Sequence, residues 1–195
     1  MTSETPHVVG IGGTTRPGSS SEKALRYALT RCQEEGATTA IFPGAELARL
    51  PHYAPELPDR TDGALRLLEE IRRADGIVVA SPGYHGSVSG LVKNALDYTE
   101  DLREDRRCYF SGMPVGLIVT GAGWQGTVTT LEALRSIVHS LRGWPTPMGV
   151  AINSTLPVFG PDGRVEDEKA RFQLETMAGE VMEFVKVRRA GLQPA

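Results

Sequence analysis

Alternation constrains this chain more than any single residue does. Short apolar runs, several of them β-branched, recur along it, and segments of helical spacing separate them. His7 to Gly12 (HVVGIG), Thr38 to Phe42, Gly76 to Ser81 (GIVVAS), Pro114 to Thr120 (PVGLIVT) and Thr146 to Ile152 read as five strands. Glu22 to Glu35, Asp62 to Ala74, a segment from about Ser89, a segment from Thr127 to Leu141, and Asp167 to Arg188 read as helices. Ala24, Leu25, Ala28 and Leu29 give the first helix its apolar face, and Leu65, Leu68 and Ile71 the second. Gly36 ends the first helix, and Pro43 stops the second strand. The proline-rich polar stretch through Arg60 reads as a surface loop. Strands alternating with helices predict an α/β fold, a doubly wound five-stranded parallel sheet covered on both faces, in the order 2-1-3-4-5. The unbroken apolar run GIVVAS fits a strand buried on both sides. No repeat, linker or low-complexity segment divides the chain, so residues 1–195 are expected to form one domain.

In such a sheet a ligand binds beyond the carboxyl ends of the strands, where the winding reverses. Three loops follow the first, third and fourth strands: GGTTRPGSSS (Gly12 to Ser21), SPGYHGSVSG (Ser81 to Gly90) and TGAGWQG (Thr120 to Gly126). Those strands are neighbours in the expected order, so their loops converge on one crevice. The proline-rich loop after the second strand has no such character.

In the first loop, glycines let backbone N–H groups turn inward, and Thr14, Thr15, Ser19, Ser20 and Ser21 add hydroxyls. Arg16 adds a planar cation, and the loop runs into a helix N-terminus that favours anions. Gly13 and Gly18 have the spacing of a nucleotide-triphosphate loop, but Ser19 stands where its lysine belongs. A dinucleotide fingerprint starts at Gly10 and Gly12, but Thr15 occupies its third glycine and no acidic residue ends the second strand. One arginine among many hydroxyls suits a terminal monophosphate. An ordinary Gly/Ser turn with an exposed arginine is the alternative at this point.

In the second loop, Pro82 stiffens the strand exit, and Gly83 and Gly86 allow backbone shapes that a β-carbon would forbid. Ser87 or Ser89 caps the next helix, whose apolar face holds Leu91, Val92, Ala95 and Leu96. Lys93 and Asp97 make a solvated i, i+4 pair. His85 is either a surface histidine or a contact to a ligand, and no nucleophile or carboxylate motif makes it a general base. Trp124 reads as a partly exposed ring beside the crevice.

Composition removes other classes. A net charge of −3 leaves no electrostatic footprint for nucleic acid or an anionic membrane. No apolar run reaches membrane-spanning length, and MTSETPHVVGIGG has no signal-peptide pattern, so a cytoplasmic protein is expected. Cys32 and Cys108 form no motif and read as unpaired thiols. His7, His52, His85 and His139 show no metal-ligand spacing, and no catalytic side chain stands out.

The stretch SPGYHGSVSGLVKNALDY resembles the signature of the NAD(P)H-dependent FMN reductases of the flavodoxin-like superfamily, P-E-Y-N/H followed by small residues and L-K-N-A-[LI]-D. GGTTRPGSSS is similar to that family's first loop, and TGAGWQG with Leu131, Leu134 and Arg135 to its third loop and following helix. The chain departs at Gly83, where the family commonly has glutamate. The resemblance implies that Thr14, Arg16, Ser19 and Ser21 surround the FMN phosphate. It implies that Pro82, Gly83, Tyr84, His85 and Gly86 line the isoalloxazine, and that Thr120, Gly121, Gly123, Trp124 and Gly126 bound its pyrimidine side and ribityl chain. It further implies NADPH or NADH as co-substrate, ping-pong hydride transfer to FMN, and a homodimer or homotetramer. Reduced flavin would go to a small acceptor or a flavin-dependent monooxygenase. An FMN-retaining reductase of quinones, azo dyes or nitro compounds and a flavodoxin-like electron carrier are the rival expectations.

Overall fold

A computed structural model describes residues 5–191; residues 1–4 and 192–195, the two ends of the expected domain, lie outside the described residues. Along the chain run β1 (His7–Gly12), α1 (Ser20–Glu34), β2 (Thr38–Pro43), α2 (Gly44–Leu47) and α3 (Asp62–Arg73). Then come β3 (Gly76–Tyr84), β4 (Ser87–Val88), α4 (Gly90–Asp97) and a 3-10 turn over Tyr98–Leu102. They are followed by β5 (Pro114–Gly121), α5 (Trp124–Ser140), β6 (Trp144–Asn153) and α6 (Glu168–Gly191). The five long strands are parallel in the order β2-β1-β3-β5-β6, which is the doubly wound order expected, with β4 added antiparallel on the end of β3.

Burial explains the order. β1 and residues 76–82 of β3 are buried throughout, as their continuous apolar runs require at the centre of a two-sided sheet. α1 and α6 cover one face, burying Leu25, Ala28, Leu174, Met177 and Val181; α3, α4 and α5 cover the other with Leu67, Ile71, Leu96, Leu131 and Leu134. Each such leucine, isoleucine, valine or methionine contributes about 1.5–3 kcal/mol on leaving water. Cys32 lies inside the α1 layer, and burial pushes its thiol up to about 12. Cys108 is half-buried, and both cysteines are free.

Several details differ from the sequence reading. Leu65 is 52% exposed, and the buried stripe of α3 is Ala64, Leu67, Leu68 and Ile71, the i, i+3, i+4, i+7 set. Within the proline-rich stretch, residues 44–47 form the short helix α2. The third strand runs on through Pro82 to Tyr84, because β4 folds back upon it. The apolar face of α4 is spent on the protein's own core: Val92, Ala95 and Leu96 are buried.

The rest of the proline-rich stretch is strapped down by Arg60. Its guanidinium grips Asp101 through Nε–Oδ2 (2.6 Å) and Nη2–Oδ1 (3.0 Å), and Nη1 donates to the Ala54 (3.2 Å) and Leu57 carbonyls. It lies 5.0 Å from the Tyr53 ring centroid and 5.7 Å from that of Tyr98. Hydrogen bonding from Arg60, and secondarily from Tyr53, holds the Asp101 carboxyl below its ordinary value against the opposing effect of desolvation. A depressed carboxyl stabilises the fold above its unfolded pKa of about 3.9, and that stability disappears as pH falls through the lower folded value. Arg60→Ala is therefore expected to cost about 2 kcal/mol at neutral pH and less in acid, read as urea midpoints at pH 7 and pH 3. A cost equal at both pH values would show that the strap acts by packing alone.

Candidate cofactor site

The first loop is framed from below. Gly13 donates its N–H to the Ala80 carbonyl of β3 at 3.1 Å, and Gly44, at the start of α2, sits so close that a β-carbon there would lie 2.1 Å from the Thr14 oxygen. Thr14 Oγ1 accepts from the Arg16 N–H (3.2 Å) and donates to the Arg16 carbonyl (3.3 Å), closing the turn locally. The Thr14 hydroxyl is thus engaged in holding the loop's shape. Arg16 is exposed and makes no ion pair among the described residues. Ser19 caps α1 by accepting from the Glu22 N–H (3.4 Å), and its hydroxyl lies 3.3 Å from the buried Ser21 hydroxyl. Position in the first turn leaves the N–H groups of Ser20 and Ser21 without intrahelical acceptors, aimed out of the helix end.

The second loop is a hairpin. Tyr84 pairs with Ser87, leaving His85 (φ 52°) and Gly86 (φ 82°) as a two-residue turn with both φ positive, the condition for a type I′ turn. The Ser89 N–H donates to buried Ser81 Oγ (3.0 Å), which in turn donates to the Pro82 carbonyl (2.8 Å), so the hairpin returns to its own base. Ser89, not Ser87, caps α4, accepting from the Val92 N–H at 3.2 Å. Lys93 and Asp97 pair on the solvent side of α4, as expected.

Gly83 is required for a reason that the sequence hid. Its φ is not positive; a β-carbon there would lie 2.9 Å from Thr130 Oγ1 and 3.4 Å from the Gly126 oxygen. The hairpin therefore lies directly on the first turns of α5, which brings the second and third loops together. Gly83→Ala is expected to cost about 1–2 kcal/mol by forcing the two apart. Adding Thr130→Ala should restore part of that, and a denaturation double-mutant cycle with no coupling would reject the contact.

In the third loop Thr120 is buried, opposite Pro82 in the ladder, and Gly121 packs under Thr127, whose hydroxyl donates to the Gly123 carbonyl at 2.6 Å. Gly123 (φ 111°) turns the chain straight from β5 into α5, so the helix begins at Trp124 rather than Thr127. The Gly123 N–H and the Thr155 N–H and hydroxyl all donate to Asn153 Oδ1 (3.1, 3.1 and 2.7 Å), tying this loop to the end of β6. Trp124 is 48% exposed, with Lys169 Nζ 5.7 Å from its ring centroid. Gly126 faces open space.

The fourteen residues singled out in the sequence thus lie along the carboxyl edge of three adjacent strands, in one row. Glu22, Gly44, Thr130 and Asn153 also shape this edge and escaped the sequence reading. The S-x-x-E spacing of Ser19 and Glu22 was a readable capping signal. A cavity of about 650 Å³ lies at the opposite edge, beside the ends of α3 and α6. Three of its arginines serve the scaffold: Arg107 donates to the Ile71, Arg72 and Ala74 carbonyls that end α3, Arg189 pairs with Asp75, and Arg72 with Asp105. Among the described residues, no group of three or more His, Cys, Asp or Glu side chains could hold a metal ion, and no helix is long and apolar enough to cross a membrane.

The chain is similar to known proteins over most of its length. A family model described as NADPH-dependent FMN reductase matches residues 6–156. An NAD(P)H-dependent FMN reductase of Pseudomonas aeruginosa is 32% identical over 166 residues, 84% of this chain and 86% of that protein. An FMN-dependent NADPH-azoreductase of Staphylococcus aureus is 30% identical over 181 residues, 90% of this chain and 93% of that protein. Among solved structures, the flavoenzyme NAD(P)H:(acceptor) oxidoreductase FerB from Paracoccus denitrificans superposes with a TM-score of 0.77 at 23% identity, covering 93% of this chain and 98% of that one. Flavodoxins share the fold as well.

Proposed function

The chain belongs to the NADPH-dependent FMN reductase family, and from that premise we propose that it oxidises NADPH or NADH and delivers the electrons to FMN by a ping-pong route. It is an oxidoreductase with a flavodoxin-like fold.

The observation that carries the reading is that the β3–β4 hairpin, seated on α5, and the first-turn Ser20 and Ser21 N–H groups of α1 follow adjacent strands at one edge of the sheet. The hairpin offers its backbone, and the first loop offers donors and, in Arg16, a cation with no ion pair among the described residues, of the kind a phosphate dianion needs. Residues and cofactor fit. Bound FMN would supply a ring that takes hydride from the nicotinamide and passes electrons onward.

The chain's own part is positioning. Arg16, Ser19, Ser21 and the first N–H groups of α1 would hold the phosphate, with Thr14 fixing the shape of their loop. Pro82, Gly83, Tyr84, His85 and Gly86 would set the plane of the ring from one side. Thr120, Gly121, Gly123, Trp124 and Gly126 would close the pyrimidine side, with Asn153 keeping that loop in place. Tyr84, 54% exposed at the mouth, would shield the ring from water once a second substrate stacks there.

The same reading includes a cytoplasmic location, reduced flavin passed to a small acceptor or a monooxygenase, and a homodimer or homotetramer. Exposed Trp144 on β6, whose ring centroid lies 5.0 Å from that of Phe184 on α6, would give part of its apolar contact surface. Sedimentation equilibrium reads that last point, and a monomer at micromolar concentration would refute it.

A second reading, an FMN-retaining reductase of azo compounds or other acceptors, is favoured by the 30% identity to the staphylococcal azoreductase. NAD(P)H oxidation by the purified protein with and without added FMN separates the two. Strong stimulation by FMN is expected. Retained flavin with fast acceptor turnover would favour the second reading, and bound flavin with no nicotinamide oxidation would favour an electron carrier.

A further inference from the structure

The first loop holds an anion of its own. Glu22, in the first turn of α1, is 8% exposed, and its Oε2 accepts from the Gly18 N–H at 3.3 Å. Its β-carbon also lies 3.5 Å from where a side chain on Gly13 would begin, so the carboxylate is folded underneath the loop. Arg26, one turn further along α1, partly neutralises it through Nε (2.9 Å) and Nη2 (2.7 Å) to Oε1. The Arg26 side chain is 54% exposed, so that neutralisation is screened by solvent.

We propose that Glu22 is a built-in competitor for the FMN phosphate, and that it keeps the flavin exchangeable rather than permanently held. The inference rests on the loop's proposed role as the phosphate site. A helix N-terminus has one region of positive potential to offer, and here a carboxylate already occupies part of it. It also takes the Gly18 N–H of the loop. A dianion entering the loop meets this largely buried negative charge, and like charges repel. A loop selected to retain phosphate would gain by a neutral side chain at this position. A carboxylate suits a protein whose flavin must leave.

The test is titration of FMN and of riboflavin, which lacks the phosphate, by quenching of flavin fluorescence. Glu22→Gln keeps an acceptor for the Gly18 N–H and removes only the charge. It is expected to lower the Kd for FMN about tenfold and to leave the Kd for riboflavin within about twofold. Arg26→Gln, on a half-exposed side chain, unmasks the carboxylate and should weaken FMN several-fold, again sparing riboflavin. It carries the test by its opposite sign if Glu22→Gln does not fold. Unchanged or weakened FMN binding in Glu22→Gln, or equal tightening of both ligands, overturns the competitor role. If the parent protein itself binds FMN and riboflavin equally, the loop reads no phosphate at all, and the proposed site falls together with this inference.

Discussion

Gly12→Ala is expected to remove more than about 3 kcal/mol of stability and to lower the urea midpoint further than any exchange at the loop tips. Gly12 pairs with Ala80 across the β1–β3 ladder at φ 147°, a conformation that L side chains rarely adopt. A β-carbon there would lie 1.9 Å from the Ala80 carbonyl oxygen and 2.7 Å from its carbon. Both are backbone atoms at the middle of the sheet, so no rotamer change relieves the overlap. The strands must separate, and separation also breaks the Gly13 N–H to Ala80 bond that seats the first loop. Gly126 is the contrast: its surroundings are open and it lies within α5. Gly126→Ala is therefore expected to be neutral or to stabilise by up to about 1 kcal/mol. A Gly12→Ala protein as stable as the parent would mean that β1 and β3 are not packed as described.

What could be read from the sequence depended on the range of each interaction. Strand order and buried layers follow from periodicity, which is local and repeated; GIVVAS could hardly be anything but a central strand. The loops were placed correctly because strand ends in a parallel sheet converge for geometric reasons alone. The hairpin was read only as a loop, because a two-residue turn at His85 and Gly86 carries no Asn-Gly or Asp-Gly signal. Gly83 was noticed for the wrong reason: its partner, Thr130, is 47 positions away, and nothing local announces that contact. Leu65 was miscounted because an i, i+3, i+6 reading drifts off the true stripe within two turns. Asn153 was invisible for a different cause. Its side chain works by satisfying backbone and hydroxyl donors of other loops, and such roles have no periodicity at all.

Arg16→Ala is expected to weaken FMN about 10- to 100-fold, the loss of one or two charge-assisted hydrogen bonds worth about 1.5–3 kcal/mol, while riboflavin affinity stays the same. The substitution is a clean probe because the loop does not depend on the side chain it removes. The backbone N–H and carbonyl of Arg16 are both held by Thr14 Oγ1, and its guanidinium makes no ion pair among the described residues. The fold and the thermal midpoint should therefore be untouched. In an NAD(P)H oxidation assay the loss should fall on the KM for FMN, with kcat at saturating flavin nearly retained, because the phosphate end is remote from any reacting atom. Raising the salt concentration should weaken FMN binding in the parent and much less in Arg16→Ala, since screening acts on the charge that is missing. Arg16→Lys should recover part of the affinity, because a point charge replaces the attraction but not the two-pronged geometry of a guanidinium. Equal FMN affinity in the parent and in Arg16→Ala would take Arg16 out of the phosphate site. The serine hydroxyls and the helix N-terminus would then have to hold a dianion with Glu22 beside it, a combination that predicts very weak binding.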